Sequence, residues 1–135
     1  MANWNEIFDV YESNDCESLG EIATYHSDRI VEYLMGMMSK DSAIITTHSI
    51  ALYFIEIDHF FDGGEADVYS SVFGSQDAYY LAINDYRRNG GKEYVERILR
   101  SMPSNMKEQV GRFACAILSG RGYISDAERA IIRRL

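Results

Sequence analysis

Apolar residues recur along this chain at the spacing of helices, and polar residues fill the positions between them. Leu19, Ala23, His26, Ile30, Tyr33 and Met37 follow one another in alternating steps of four and three. That rhythm keeps one stripe on one side of a long helix over 19–38. His26 lies on the stripe, where a lone histidine reads as a hydrogen-bonded core residue. The "MGMM" at 35–38 reads as flexible packing near the helix end. Residues 43–61, "AIITTHSIALYFIEIDHFF", are apolar on nearly every side from Ser49 onward, which predicts a central, buried helix. Their β-branched run also suits a strand, but the length and the lack of a partner strand argue for helix. A tyrosine-rich helix over 76–89 is stopped by "NGG" at 89–91, and the next runs to about Ser101, before Pro103. Two more follow over about 106–119 and 126–135.

The helix starts carry their own signal. Asn3 and Glu6, Ser18 and Glu21, Asp62 and Glu65, Asn105 and Glu108, and Ser125 and Glu128 all have capping-box spacing. In each pair the short polar side chain can accept a free amide, while the acid three residues on reaches back. One proline in 135 residues leaves long helices uninterrupted. The expected fold is all-α: one domain over 1–135, a bundle of about seven or eight helices.

Sliding the chain by 63 residues superimposes two helix-loop-helix units at about 43–73 and 106–135. Ile50, Ala51, Phe54 and Ile55 fall on Phe113, Ala114, Ile117 and Leu118, and Glu65 falls on Glu128. The class of residue agrees at most apolar positions. Two copies suggest a pseudo-twofold bundle, since a solenoid needs more. With its "RGYISDAE" (121–128) and "DHFFDGGE" (58–65), the chain resembles the TerB-like family, named for tellurite resistance. That family's signature is Asp-Gly-x-apolar-Ser/Asp-x-x-Glu between two helices. The second copy keeps Gly122, Ile124, Ser125 and Glu128 but has Arg121 in place of Asp. The first keeps Asp58, Phe61, Asp62 and Glu65 but has His59 in place of Gly. The resemblance implies an all-α, non-enzymatic module of stress or defence systems that binds a divalent metal at a cluster of acids.

The candidate metal ligands are Asp58, Asp62 and Glu65, with a weakly held divalent cation such as calcium as the cofactor. An EF-hand is excluded. With Asp58 as position 1, positions 3 and 12 are Phe60 and Tyr69, where oxygen ligands belong. The same Asp62 and Glu65 also serve fully as a helix cap, so turn-and-cap and metal loop are alternative readings of one stretch. "EIDH" (56–59) has the Glu-x-x-His spacing of di-iron bundles, but only once. His48 and His59 are three helical turns apart, and Cys16 and Cys115 lie far from both in sequence, so no zinc set forms. No nucleophile elbow or phosphate loop occurs, and an enzyme is not expected.

Charge changes the picture. Net charge is −8, but residues 1–86 hold 16 acidic and 2 basic side chains, while 87–135 hold 5 and 11. The bland reading is complementary helices within one domain. The functional reading is an acidic face for a protein partner, or head-to-tail self-association of copies. An acidic inhibitor or immunity protein blocking a basic nuclease or nucleic-acid-binding protein is therefore the alternative to the metal module. Direct nucleic-acid binding is disfavoured, because the basic residues are spread over several helices. No apolar run approaches a membrane span, and "MANWNEIFDV" has no signal-peptide pattern. A cytoplasmic chain with reduced cysteines is expected.

Overall fold

A computed structural model describes residues 2–57, 62–75 and 77–135. Among these residues the chain forms eight α-helices, one short 3-10 turn and no strand. In order they are α1 (Trp4–Glu12), α2 (Cys16–Leu34), α3 (Lys40–Ile55), α4 (Gly63–Phe73), α5 (Asp77–Arg88), α6 (Gly91–Ser101), α7 (Ser104–Leu118) and α8 (Asp126–Arg133). The 3-10 turn spans Ser119–Arg121.

Capping sets where most of these helices begin. Asn3 accepts from the Glu6 amide, and full reciprocal boxes form at Asp62/Glu65 and Ser125/Glu128. Two starts differ from expectation. α2 is capped three residues earlier than Ser18 and begins at Cys16, because the Asp15 carboxylate captures the Ser18 amide at 2.8 Å and an ionised acceptor sits upstream of the hydroxyl. α7 begins at Ser104 behind Pro103, with no side-chain cap, so Asn105 is already inside the helix. Pro103 favours extended backbone before it and a helical φ at its own position, which serves as the boundary instead. Gly90, in the left-handed region at φ 66°, separates α5 from α6.

Packing supplies the rest. α4, α6 and α8 have 11, 11 and 8 residues, lengths that are marginal for an isolated helix in water. They persist because each buries a face. Phe8, Leu19, Ile30, Leu34, Phe54, Tyr69, Phe113 and Leu118 are essentially inaccessible. Such side chains contribute roughly 1.5–3 kcal/mol each, more than the roughly 1 kcal/mol of a cap. α3 is central as predicted, with every residue from Ile50 to Ile55 buried. It packs against α2, α5, α6 and α7, and α2 packs on α7 and α4. α3 thus stands between α2 and α6.

The stripe on α2 buries Leu19, Ala23, His26 and Ile30 as expected, then departs. α2 ends at Leu34, which is buried, while Met37 lies past the helix and is 53% exposed. Once the chain turns after Leu34, a four-residue step no longer returns to the same face. Met35 is exposed too, so of the "MGMM" methionines only Met38 packs against the core. No helix among the described residues is long and apolar enough to cross a membrane.

Candidate functional site

The second of the two expected helix-loop-helix starts meets the first at the centre of the molecule. Glu65 Oε1 accepts from the Asp62 amide at 3.3 Å, and Asp62 Oδ1 accepts from the Glu65 amide at 3.0 Å. Ser125 and Glu128 repeat the arrangement at 2.8 and 3.3 Å. A capping glutamate ordinarily sits at the surface, but both side chains here are wholly buried. The 3-10 turn inserts Arg121 between them. Its guanidinium hydrogen-bonds Glu128 Oε1 and lies 3.9 Å from Glu65 Oε1, with only 2% of the side chain exposed. Arg121 Nε donates to the Tyr123 carbonyl at 3.1 Å, and the guanidinium lies 4.4 Å from the Tyr123 ring centre.

Backbone contact closes this centre. A Cβ on Gly64 would lie 1.8 Å from the Gly120 carbonyl oxygen, and one on Gly120 would lie 2.4 Å from that of Gly64. Only two glycines allow the first turn of α4 and the 3-10 turn to approach so closely. Cys16 borders the same contact, its thiol 3.5 Å from the Gly120 carbonyl. Partial burial, then Asp67, Asp15 and Asp62, raise its pKa, so the thiol is held protonated rather than reactive.

Two carboxylates sharing one guanidinium carry one proton too few to be neutral. Burial raises the Glu65 pKa to about 8, against the opposing pull of Arg121 and the Asp62 amide. Glu65 is therefore a carboxylic acid at neutral pH, and Arg121 is matched by one carboxylate. Among the described residues the Glu65 Oε2 atom and the Ser119 hydroxyl are buried without a hydrogen-bond partner.

The expected metal ligands fare unequally. Asp58 lies outside the described residues, as do His59, Phe60 and Phe61. Asp62 and Glu65 are adjacent, but as a cap, with Glu65 buried against the Arg121 guanidinium. Among the described residues no three His, Cys, Asp or Glu side chains are grouped to hold a metal ion. Arg121 appeared in the sequence only as a departure from the family signature. Its role needed the tertiary contact with Glu65, 56 positions away in the chain. A second such contact is Glu12, which joins α1 to α8. It pairs with Arg129 at 2.7 Å and accepts from the Ile124 amide at 2.7 Å.

The two described histidines are spent structurally. His26 Nδ1 donates to Gln109 Oε1 at 2.6 Å, and Nε2 then accepts from the Tyr11 hydroxyl at 3.3 Å. Burial lowers its pKa, as expected of a core histidine. His48 bonds the Tyr69 hydroxyl at 2.9 Å and stacks on Phe73, and burial lowers its pKa to about 4. It borders a groove of about 570 Å³ between α3, α5 and α6, as an uncharged edge.

The outer face of α2 is the most strongly charged surface. Glu17, Glu21, Asp28 and Glu32 are exposed and fall within about 60° of helical arc, opposite Leu19, Ala23 and Ile30. Among the described residues none of the four is in an ion pair. Tyr25 stands beside the line, 56% exposed, with the Arg29 guanidinium 5.7 Å from its ring centre.

Comparison with known protein families, curated proteins and solved structures finds no match. The likeness to the TerB-like family accordingly rests on the quoted motif residues alone.

Proposed function

We propose that the protein is a non-enzymatic binding module that engages a basic protein partner through the acidic outer face of α2. The observation that carries this reading is the exposed line of Glu17, Glu21, Asp28 and Glu32, none of which is in an ion pair among the described residues. Glu17/Glu21 and Asp28/Glu32 are like charges four residues apart, each pair costing roughly 0.2–0.5 kcal/mol on an isolated helix. A basic surface would offset that cost and gain rate from long-range attraction. The carboxylates step along the helix by about 6 and about 10 Å, a row of negative charge of the kind a nucleic-acid backbone presents. Nucleases and nucleic-acid-binding proteins are the partner class such a row suits, in an inhibitory or immunity role. A place in a stress or defence system, as the TerB-like resemblance implies, is compatible with it. The metal alternative has less support, because Glu65 is buried, protonated and beside a guanidinium.

Purified basic nucleases and DNA-binding proteins, assayed for binding at about 50 and about 300 mM salt, test the reading. A partner should bind in a salt-sensitive manner and lose at least about tenfold in affinity to E21K/D28K, since several close charge contacts are lost. Affinities unchanged by the reversal across the panel would reject the acidic face as the interface.

A further inference from the structure

Beyond α3 from the acidic face, a concavity of about 230 Å³ opens where α6, α7 and the end of α8 meet. Arg100, Lys107 and Arg134 line it, one from each of the three segments. Among the described residues none of the three is in an ion pair. Glu96 and the terminal residue Leu135 also line it, and Glu96 accepts from the Tyr53 hydroxyl at 3.4 Å. Leu99 and Ile131 make part of the lining apolar.

Helix electrostatics account for two of these cations. Arg100 lies in the last turn of α6, and Arg134 follows the last turn of α8, where the helix dipole favours positive charge. Lys107 is the opposite case. It is the fourth residue of α7, near a helix start that disfavours a cation and has no side-chain cap. The three cations around one small concavity repel one another, and Glu96 and the terminal residue Leu135 offset that only in part.

We infer that this concavity binds a phosphomonoester dianion, held by the Arg100 and Arg134 guanidinium groups and the Lys107 ammonium. A net positive lining suits a phosphomonoester, which carries about −1.5 to −2 at pH 7. Guanidinium groups suit phosphate oxygens because they can donate two parallel hydrogen bonds. The volume is below the roughly 300–1,000 Å³ of sites for drug-sized ligands, so it fits a phosphate with a short organic group. Leu99 and Ile131 would cover that group. The phosphate comes either from a small ester or from a phosphorylated side chain of another protein.

Calorimetric titration of the full chain with inorganic phosphate, O-phosphoserine and a phosphoserine peptide distinguishes these. O-phosphoserine binding should strengthen between pH 5 and pH 7.5 as the second ionisation of its phosphate, near pH 6, completes. Sulfate, a dianion throughout, should show no such rise. R100Q and R134Q should each weaken binding roughly tenfold or more, as expected for a lost charged hydrogen bond. R88Q, at an exposed position outside the concavity, should leave binding unchanged. Tighter binding of O-phosphoserine than of phosphate assigns a small ester, and tighter binding of the peptide than of O-phosphoserine assigns a protein-borne phosphate. No saturable binding of any of the three, or equal loss in R88Q, would overturn the site.

Discussion

Glu65 and Glu128 each bond the backbone amide of their own cap residue and face the same guanidinium. Removing water from both would leave one excess negative charge, and the Glu65 proton removes it. The pH dependence follows from that. Glu65 has a folded pKa of about 8 against an ordinary value of 4.5, so the folded state holds its proton more tightly. Stability from this group is complete below about pH 4.5 and declines as pH rises towards 8, at up to about 1.4 kcal/mol per unit. Glu65→Gln keeps the neutral shape and a residue that caps at that position. Urea unfolding across pH 5–9 should show the variant flatter than the wild type and more stable above pH 8. Parallel curves for the two proteins would mean that Glu65 is ionised in the fold.

Between elements, the closest contact is backbone on backbone, where Gly64 at the start of α4 touches Gly120 in the 3-10 turn. A side chain there cannot rotate away, because the colliding atoms are carbonyl oxygens. Gly120→Ala should destabilise the fold by about 1–3 kcal/mol or more, the range for overpacked cores. Gly63→Ala is the matched control. A Cβ there meets nothing within 4 Å, and alanine has the higher helix propensity, so the change should be neutral or mildly stabilising. Midpoints of denaturation for the pair decide it, and equal losses would show that the close approach is not what demands glycine.

Across the whole molecule, opposite charges are paired only in part. The acidic line lies on α2 and the unpaired cations Arg100, Lys107 and Arg134 gather beyond α3. Among the described residues Glu12–Arg129, Glu56–Arg87 and Glu65–Arg121 join the two halves of the chain. The bland reading of the charge asymmetry, helices that complement one another, therefore covers part of it. The centre of the molecule already contains its cation in Arg121, which bears on metal binding. A site occupied at 100 times its dissociation constant would add about 2.7 kcal/mol to stability. Thermal unfolding in millimolar calcium, magnesium, manganese or zinc should show no such gain. A rise in midpoint that Asp58→Asn abolishes would restore Asp58, Asp62 and Glu65 as ligands.

Local physics made much of the fold legible in the sequence. Helical periodicity marked α2 and the buried run of α3. Reciprocal capping marked the starts of α4 and α8, because a box involves only residues three positions apart. The left-handed glycine after α5 and the proline before α7 were equally local. What the chain alone left open depended on contacts between distant residues. Whether Ser18 or Asp15 caps α2 was a competition between two acceptors three residues apart. Whether Met37 joins the core depended on where the chain turned. The two readings of Asp62 and Glu65, cap or ligand, both stood in sequence because both need the same oxygens in the same place. Only the tertiary structure brought Arg121 to Glu65, excluded water from both glutamates and so raised the Glu65 pKa. Burial and the charge of distant neighbours set that pKa, and neither is encoded by spacing along the chain.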